Sequence, residues 1–264
     1  MKRTGLLVAI AMLSLSACGT PARVIVAAGT TLVDSGILDE LVSRYEAEHP
    51  DVQLSVVGEA TAQVIELGRR GGADVLLTHA PDLEAEFIAD GMASRYEPVI
   101  ESRFALAGPA DVVSEMPSDV DEAFREIARR GARFVSRSDG SGTYQMEREL
   151  WTRAGVDPDE MAWYIETGQG MGLTLQVADQ RQAFVLTELG AFVAAAPVLS
   201  LELVQLAADP VLVNPYHITV VDNSPVESAA DAFAGWLLST EGGQAIISAN
   251  NELYGQVIYQ PIGP

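Results

Sequence analysis

Apolar residues recur along this chain with two periods, one fitting strands and the other fitting helices. Arg23 to Ala28 (RVIVAA) is a compact β-rich run, and Gly29-Thr30-Thr31 reads as the turn after it. Asp34-Ser35-Gly36 then opens a helix with Ile37, Leu38, Leu41, Val42 and Tyr45 on one face, ended by Pro50. Val52 to Val57 (VQLSVV) predicts the next strand, Gly58-Glu59-Ala60-Thr61 a second turn, and a helix follows that ends near Gly71-Gly72. Ala73 to Leu77 is again strand-like. Strand, turn and helix repeated in that order predict a parallel sheet with helices on both faces.

The alternation resumes downstream. Phe124 to Arg130 reads as helix, Arg133 to Ser136 as strand, and Gly142 to Ala154 as a helix carrying Leu150 and Trp151. Leu173 to Arg181 and Ala191 to Ala196 read as helices, Phe184 to Thr187 as a strand, and Ala229 to Leu238 as a helix with Phe233, Trp236 and Leu237 on one face. Phe104 to Pro109 and Asn214 to Thr219 are extended, Pro-bearing segments. One outbound and one returning strand suit a two-lobed α/β protein with a two-strand hinge and a cleft; a single continuous sheet is the alternative. The expected division is residues 24–106 plus 216–264 in lobe I and residues 107–215 in lobe II, two Rossmann-like lobes.

The amino end has a different character. Lys2 and Arg3 precede an apolar run, Leu6 to Leu15, and then Ala17-Cys18. That order predicts a secretory signal over residues 1–17, too short for a durable membrane span. The only cysteine, Cys18, directly after small residues, resembles the lipidation site of bacterial lipoproteins, which implies a tether over residues 18–23. The expected location is outside the cytoplasm, on the cell membrane, facing the periplasm or exterior.

Composition then narrows the chemistry. At 264 residues the chain can form one domain or two small ones. Its 37 acidic residues against 16 basic ones give a net charge of −21, which disfavours nucleic acid or an anionic membrane as partner. Lys2 is the only lysine, so the mature chain has neither a Schiff-base lysine nor the lysine of a phosphate-binding P-loop. His49, His79 and His217 lack metal-ligand spacing, Ser141 is outside a GxSxG elbow, and no carboxylate pair stands out for acid–base work. A secreted hydrolase with Ser141 reached by His79 or His217 is the weaker alternative; the chain reads as a binding protein with no cofactor and no metal site.

The candidate site begins in Phe134-Val135-Ser136-Arg137-Ser138-Asp139-Gly140-Ser141-Gly142-Thr143. A strand delivers Arg137 to a Gly-rich turn that sets Ser141, Gly142 and Thr143 at the start of a helix, where unpaired N–H groups and the helix dipole favour an anion. Arg137 adds a planar fork of donors, and Gly140 and Gly142 are expected to let the backbone approach the ligand. A capped helix with Arg137 simply paired to Asp139 is the structural alternative. Thr30, Thr31 and Thr61 hold similar places before earlier helices, and Gly170, in Gly168-Gln169-Gly170-Met171-Gly172, precedes another. Trp151, Trp163 and Tyr164 read as core.

Taken in order, these motifs resemble the tungstate-binding proteins of bacterial ABC importers, a branch of the type II periplasmic-binding-protein fold. The resemblance covers most of residues 24–250 and rests on Thr30-Thr31 with Asp34-Ser35-Gly36-Ile37-Leu38-Asp39, Asp74-Val75-Leu76-Leu77 with His79-Ala80-Pro81, Ser136-Arg137 with Asp139 and Ser141-Gly142-Thr143, Trp163-Tyr164, the Gly168–Gly172 cluster and Asn214-Pro215-Tyr216. It implies a monomeric receptor that takes tungstate or molybdate through Thr30, Thr31, Arg137, Ser141 and Thr143 and hands it to a membrane permease. Glu188-Leu189-Gly190-Ala191 departs from the family's Asp-Arg-Gly-Thr and lacks its arginine; the first two loops also differ. The rival ligand is phosphate, because Arg137 to Thr143 is also similar to the segment that phosphate-binding proteins use. Asp139 decides between them: facing the ligand it accepts the proton of hydrogen phosphate, whereas bound to Arg137 it leaves a site of donors only.

Overall fold

The computed structural model describes residues 20–263; the predicted signal segment and Cys18 lie outside the described residues. The chain starts with β1 (Ala22–Gly29), α1 (Thr30–Asp34), α2 (Ile37–Glu48), β2 (Val52–Glu59), α3 (Thr61–Arg69), β3 (Val75–Thr78) and α4 (Pro81–Ala89). β4 (Ala93–Pro109) follows as a 17-residue strand. Then come α5 (Val120–Arg130), β5 (Phe134–Ser136), α6 (Gly142–Ala154), β6 (Tyr164–Glu166), α7 (Met171–Arg181), β7 (Val185–Glu188), α8 (Leu189–Ala195) and β8 (Leu201–Leu203). The chain closes with β9 (Val213–Val221), α9 (Glu227–Leu237), α10 (Thr240–Tyr254) and β10 (Gln260–Pro261).

Two sheets with one plan share β4. In the first, β2, β1 and β3 run parallel, β9 is antiparallel to β3, and residues 93–103 of β4 pair with β9. In the second, β6 and β5 are parallel, Phe134 of β5 bridges to Phe184 just before β7, and residues 104–109 of β4 pair with β7 on one edge and β8 on the other. The strand order is thus β2-β1-β3-β9-β4-β10 in one half and β6-β5-β7-β4-β8 in the other. The ladder runs unbroken through β4, yet the layers form separately around it: this is the mixed α/β, type II binding-protein architecture.

Each half buries its own core. Val24, Val26 and Ala28 of β1 pack with Leu38, Leu41 and Tyr45 of α2 and Phe233 and Leu237 of α9. Their alternation along β1 supplies one buried face, while Ala27 fills the opposite face with Val64, Leu76 and Phe87. In the other half Trp151 of α6 lies between Phe124 and Phe134, with ring centroids at 4.6 and 5.1 Å, and Trp163 and Tyr164 pack against that cluster. Trp151 is in the core as expected, whereas Trp163 and Tyr164 are half-buried at its edge.

Several boundaries differ from the sequence expectation. Thr30 and Thr31 are helical: α1 starts straight after β1, and Gly36, with φ +82°, separates it from α2. β2 continues through Gly58 and Glu59, where parallel pairing with β1 holds both residues in the ladder, so only Ala60 separates strand from helix. α4, the first half of β4 and α10 had no counterpart in the sequence reading.

Candidate functional site

The parallel strands of each sheet end where the helices begin, so helix N-termini face the junction between the halves. Thr30 and Thr61 follow the neighbouring strands β1 and β2, whose ends are in register at Gly29 and Glu59. Opposite them, Ser141 and Gly170 are the N-caps of α6 and α7.

Arg137 leaves the end of β5 and is buried, with 1% of its side chain exposed. The chain turns behind it through Ser138 (φ +47°) and Gly140 (φ +72°). The unusual backbone at Ser138 is held by its hydroxyl, which donates to Glu166 at 2.7 Å. This turn brings Asp139 back onto the guanidinium. Arg137 Nε and Nη2 donate to Asp139 Oδ2 at 3.1 and 2.5 Å, and Oδ1 accepts the Ser141 N–H at 3.1 Å. Asp139 therefore orients Arg137 and ties the turn to α6. The same Nη2 donates to Thr30 Oγ1 at 2.8 Å, joining the two halves.

The remaining predicted residues surround that contact. Gly170 faces Thr30 closely enough that a β-carbon on it would lie 3.5 Å from Thr30 Cγ2. Ser141 caps α6 by accepting the Tyr144 N–H at 3.2 Å. Thr61 and Thr143 are buried, and their hydroxyls have no hydrogen-bond partner among the described residues. Buried hydroxyls are ordinarily satisfied, so two such groups at helix starts mark a place suited to an acceptor. Thr31 is also buried, but its hydroxyl bonds Tyr216 Oη at 2.8 Å. Gly142 packs against His79: a β-carbon there would lie 2.6 Å from the His79 ring and carbonyl oxygen, so the glycine admits that side chain.

Around this cluster lies a set of polar residues to which the sequence assigns no contact with the anion. Asp34 Oδ2 accepts the Gly172 N–H at 3.0 Å, a second bond between the halves. His79 Nδ1 bonds Asn214 Oδ1 at 2.8 Å, and burial pushes its pKa down to about 4, so the ring is neutral at neutral pH. Its Nδ1–H then donates to Asn214, whose Nδ2 donates to Glu188 at 3.0 Å. Glu188, fully buried, also receives Tyr259 Oη at 2.6 Å and a short bond from Tyr216 Oη. In the sequence Glu188 stands out only as the neighbour of a missing arginine.

Neither histidine that could have armed Ser141 bonds to it. His79 is committed to Asn214 and His217 lies 3.0 Å from Glu84. No cluster of His, Cys, Asp and Glu among the described residues could hold a metal ion. A cleft of about 590 Å³ adjoins the cluster, sharing His79 and Gly142 with it and otherwise lined by Phe104, Tyr144, Arg148 and Asn214 among others. Arg137 and Thr30 lie outside that cleft.

Comparison with known proteins places this geometry in a family. The PBP superfamily domain matches residues 16–241. The chain is 32% identical to the tungstate-binding protein TupA of Peptoclostridium acidaminophilum over 99% of both chains. It is 39% identical to a putative ABC transporter anion-binding protein of Haloferax volcanii, covering 92% of this chain and 73% of that one. The crystal structure of the tungstate ABC transporter from Geobacter sulfurreducens superposes with a TM-score of 0.77 at 32% identity, over 86% of this chain and 98% of that one. The strand order shared by the two halves, the helix starts facing each other across Arg137 and these full-length similarities agree: the chain belongs to the PBP superfamily, among the ABC-transporter solute-binding proteins that include the tungstate-binding proteins.

Proposed function

We propose that the protein is an exported receptor that captures a tetrahedral oxyanion, tungstate or molybdate, between two lobes and delivers it to an ABC permease. The observation that carries this reading is the bond from Arg137 to Thr30 across the halves, with the unpartnered hydroxyls of Thr61 and Thr143 at neighbouring helix starts. A buried dianion must recover the hydrogen bonds it made with water. Arg137, the helix-start N–H groups and the hydroxyls of Thr30, Thr61, Ser141 and Thr143 would supply donors, and Gly170 keeps the α7 start close. Local dipoles act at contact distance, whereas the acidic exterior is screened beyond about 10 Å.

Asp139 favours tungstate or molybdate over phosphate. Both of its oxygens are engaged, one by Arg137 and the other by the Ser141 N–H. A carboxylate so occupied is a poor acceptor for the proton of hydrogen phosphate, and the Arg137 side of the site offers donors only. In this reading the lobes are residues 24–106 plus 216–264 and 107–215, and the change of β4's partner from Val213 of β9 at Arg103 to Glu188 of β7 at Phe104 supports a boundary there. Closure about these two strands would bury the anion without covalent chemistry. Anchoring through a lipid on Cys18 completes the proposal; no described helix is long and apolar enough to cross a membrane.

A thermal-shift series with tungstate, molybdate, phosphate and sulfate tests the reading. Ligand at one hundred times its Kd stabilises the folded state by about 2.7 kcal/mol, a rise of roughly 5–11 °C for a chain of this size. Tungstate and molybdate should produce it. A larger rise with phosphate would overturn the choice of anion, and no rise with any of the four would overturn the receptor reading.

A further inference from the structure

Glu188 is a buried carboxylate without a bonded cation. It ends β7, opposite Phe104 of β4, and every polar group on it is neutral: Tyr216 and Asn214 from β9 on Oε2, and Tyr259 near the carboxyl end on Oε1. Ser102 of β4 and Thr31 of α1 also face it. His79, one residue further out through Asn214, is neutral, and Arg137, the nearby guanidinium, is bound to Asp139. Tyr216 Oη in turn bonds Thr31 Oγ1, beside the Thr30 that meets Arg137.

Each hydroxyl in this chain has one proton to donate. While Glu188 is ionised it can only accept, so Tyr216 donates to it and Thr31 must donate to Tyr216. With Thr31 as the anion contact that the resemblance implies, its hydroxyl then turns lone pairs toward the anion. A proton on Glu188 Oε2 reverses the chain: Glu188 donates to Tyr216, Tyr216 to Thr31, and the Thr31 proton is released toward the anion.

We propose that Glu188 is a positioning residue that acts through Tyr216 on Thr31, so that capture of a doubly charged oxyanion draws one proton from solvent onto Glu188. The proposal rests on the oxyanion reading of the site. Only the carboxyl oxygen gains a proton, and no bond of the anion changes. Two effects favour the uptake when the dianion arrives: the site gains a donor, and a buried negative charge three hydrogen bonds away is removed. Burial already holds the Glu188 pKa above the usual carboxylate range.

Calorimetry with micromolar sodium tungstate between pH 6.5 and 9, in two buffers of different ionisation enthalpy, is the test. The wild type should take up as much as one proton per tungstate, and its affinity should fall toward alkaline pH by up to tenfold per unit. E188Q removes the titrating group and should bind with no uptake and no pH slope. Glu147 of α6, pushed up to about 7 by burial, titrates in the same window, so E147Q is measured alongside. If E188Q does not fold, Y216F keeps the carboxyl but cuts the relay, and its pH slope should vanish. Tungstate binding without proton uptake, or an uptake lost in E147Q and kept in E188Q, overturns the inference and leaves the receptor reading standing. Absence of tungstate binding overturns both.

Discussion

Arg137→Ala separates two effects that the site combines. The guanidinium is 1% exposed and its partner Asp139 9% exposed, so its removal leaves a carboxylate shielded from water with only the Ser141 N–H as partner. Breaking a buried ion pair typically costs about 3–5 kcal/mol. Asp139 keeps one hydrogen bond, which puts the expected loss near the lower end, about 3 kcal/mol, or roughly 6–12 °C in Tm. Tungstate affinity should fall at least thirtyfold, since losing one partner of a buried charge contact costs about 2–5 kcal/mol. The double variant Arg137→Ala/Asp139→Asn removes the stranded charge and should regain most of the stability with none of the affinity. Thermal melts and calorimetry on wild type, Arg137→Ala, Asp139→Asn and the double variant, treated as a double-mutant cycle, give the coupling. An Arg137→Ala protein that melts within a degree of wild type would refute the burial argument, and one that binds tungstate normally would refute the site.

Thr143→Val should leave the unliganded protein as stable or slightly more so, because it deletes a buried hydroxyl without a partner. It should weaken tungstate about tenfold or more, the worth of one hydrogen bond to a charged group; wild-type affinity in calorimetry would show that the hydroxyl is no contact. Gly142→Ala drives a methyl to within 2.6 Å of the His79 ring and carbonyl oxygen. A loss of about 1–3 kcal/mol in denaturant melts is expected from such overpacking, and an unchanged midpoint would contradict the packing described. Burial raises the Glu147 pKa from 4.5 to about 7, so the folded protein holds a proton that the unfolded chain releases. Its contribution is full below pH 4.5 and is lost as pH rises through 7, so E147Q should overtake wild type in Tm only toward alkaline pH. Parallel Tm curves for the two proteins from pH 4 to 8 would count against this.

The parts of the fold that were legible in the sequence are those whose signals are local. α6 spans Gly142–Ala154 as expected, because the side-chain cap of Ser141 at one end and left-handed Gly155 at the other act within a few residues. α1 escaped notice because it has five residues and no side-chain cap. The first half of β4 lacks clean alternation: Arg95, Tyr96, Glu97 and Pro98 interrupt it, and two register shifts accompany them. α10 contains Gly242 and Gly243, which read as breakers, although Gly242 is required by the backbone of Trp236 and Leu237 packed against it. At the site, Arg137 and the threonines announced themselves as donors beside glycines. Glu188, Tyr216 and Tyr259 did not, since their partnership joins positions 28 and 71 residues apart and only the folded sheet brings them together.

Arg103 and Val213 are facing partners on adjacent antiparallel strands, and the chain between them builds the second sheet and its helices, of which α8 also packs Leu189 and Val193 on the first half's core. The intervening stretch is therefore an insert whose two ends leave the host side by side. A short hairpin joining Arg103 to Val213 could excise it and keep β2-β1-β3-β9-β4 intact. Grafting a relative's insert at the same junction would exchange Arg137 and the α6 and α7 starts as one cassette, leaving Thr30, Thr31 and Thr61 in the host.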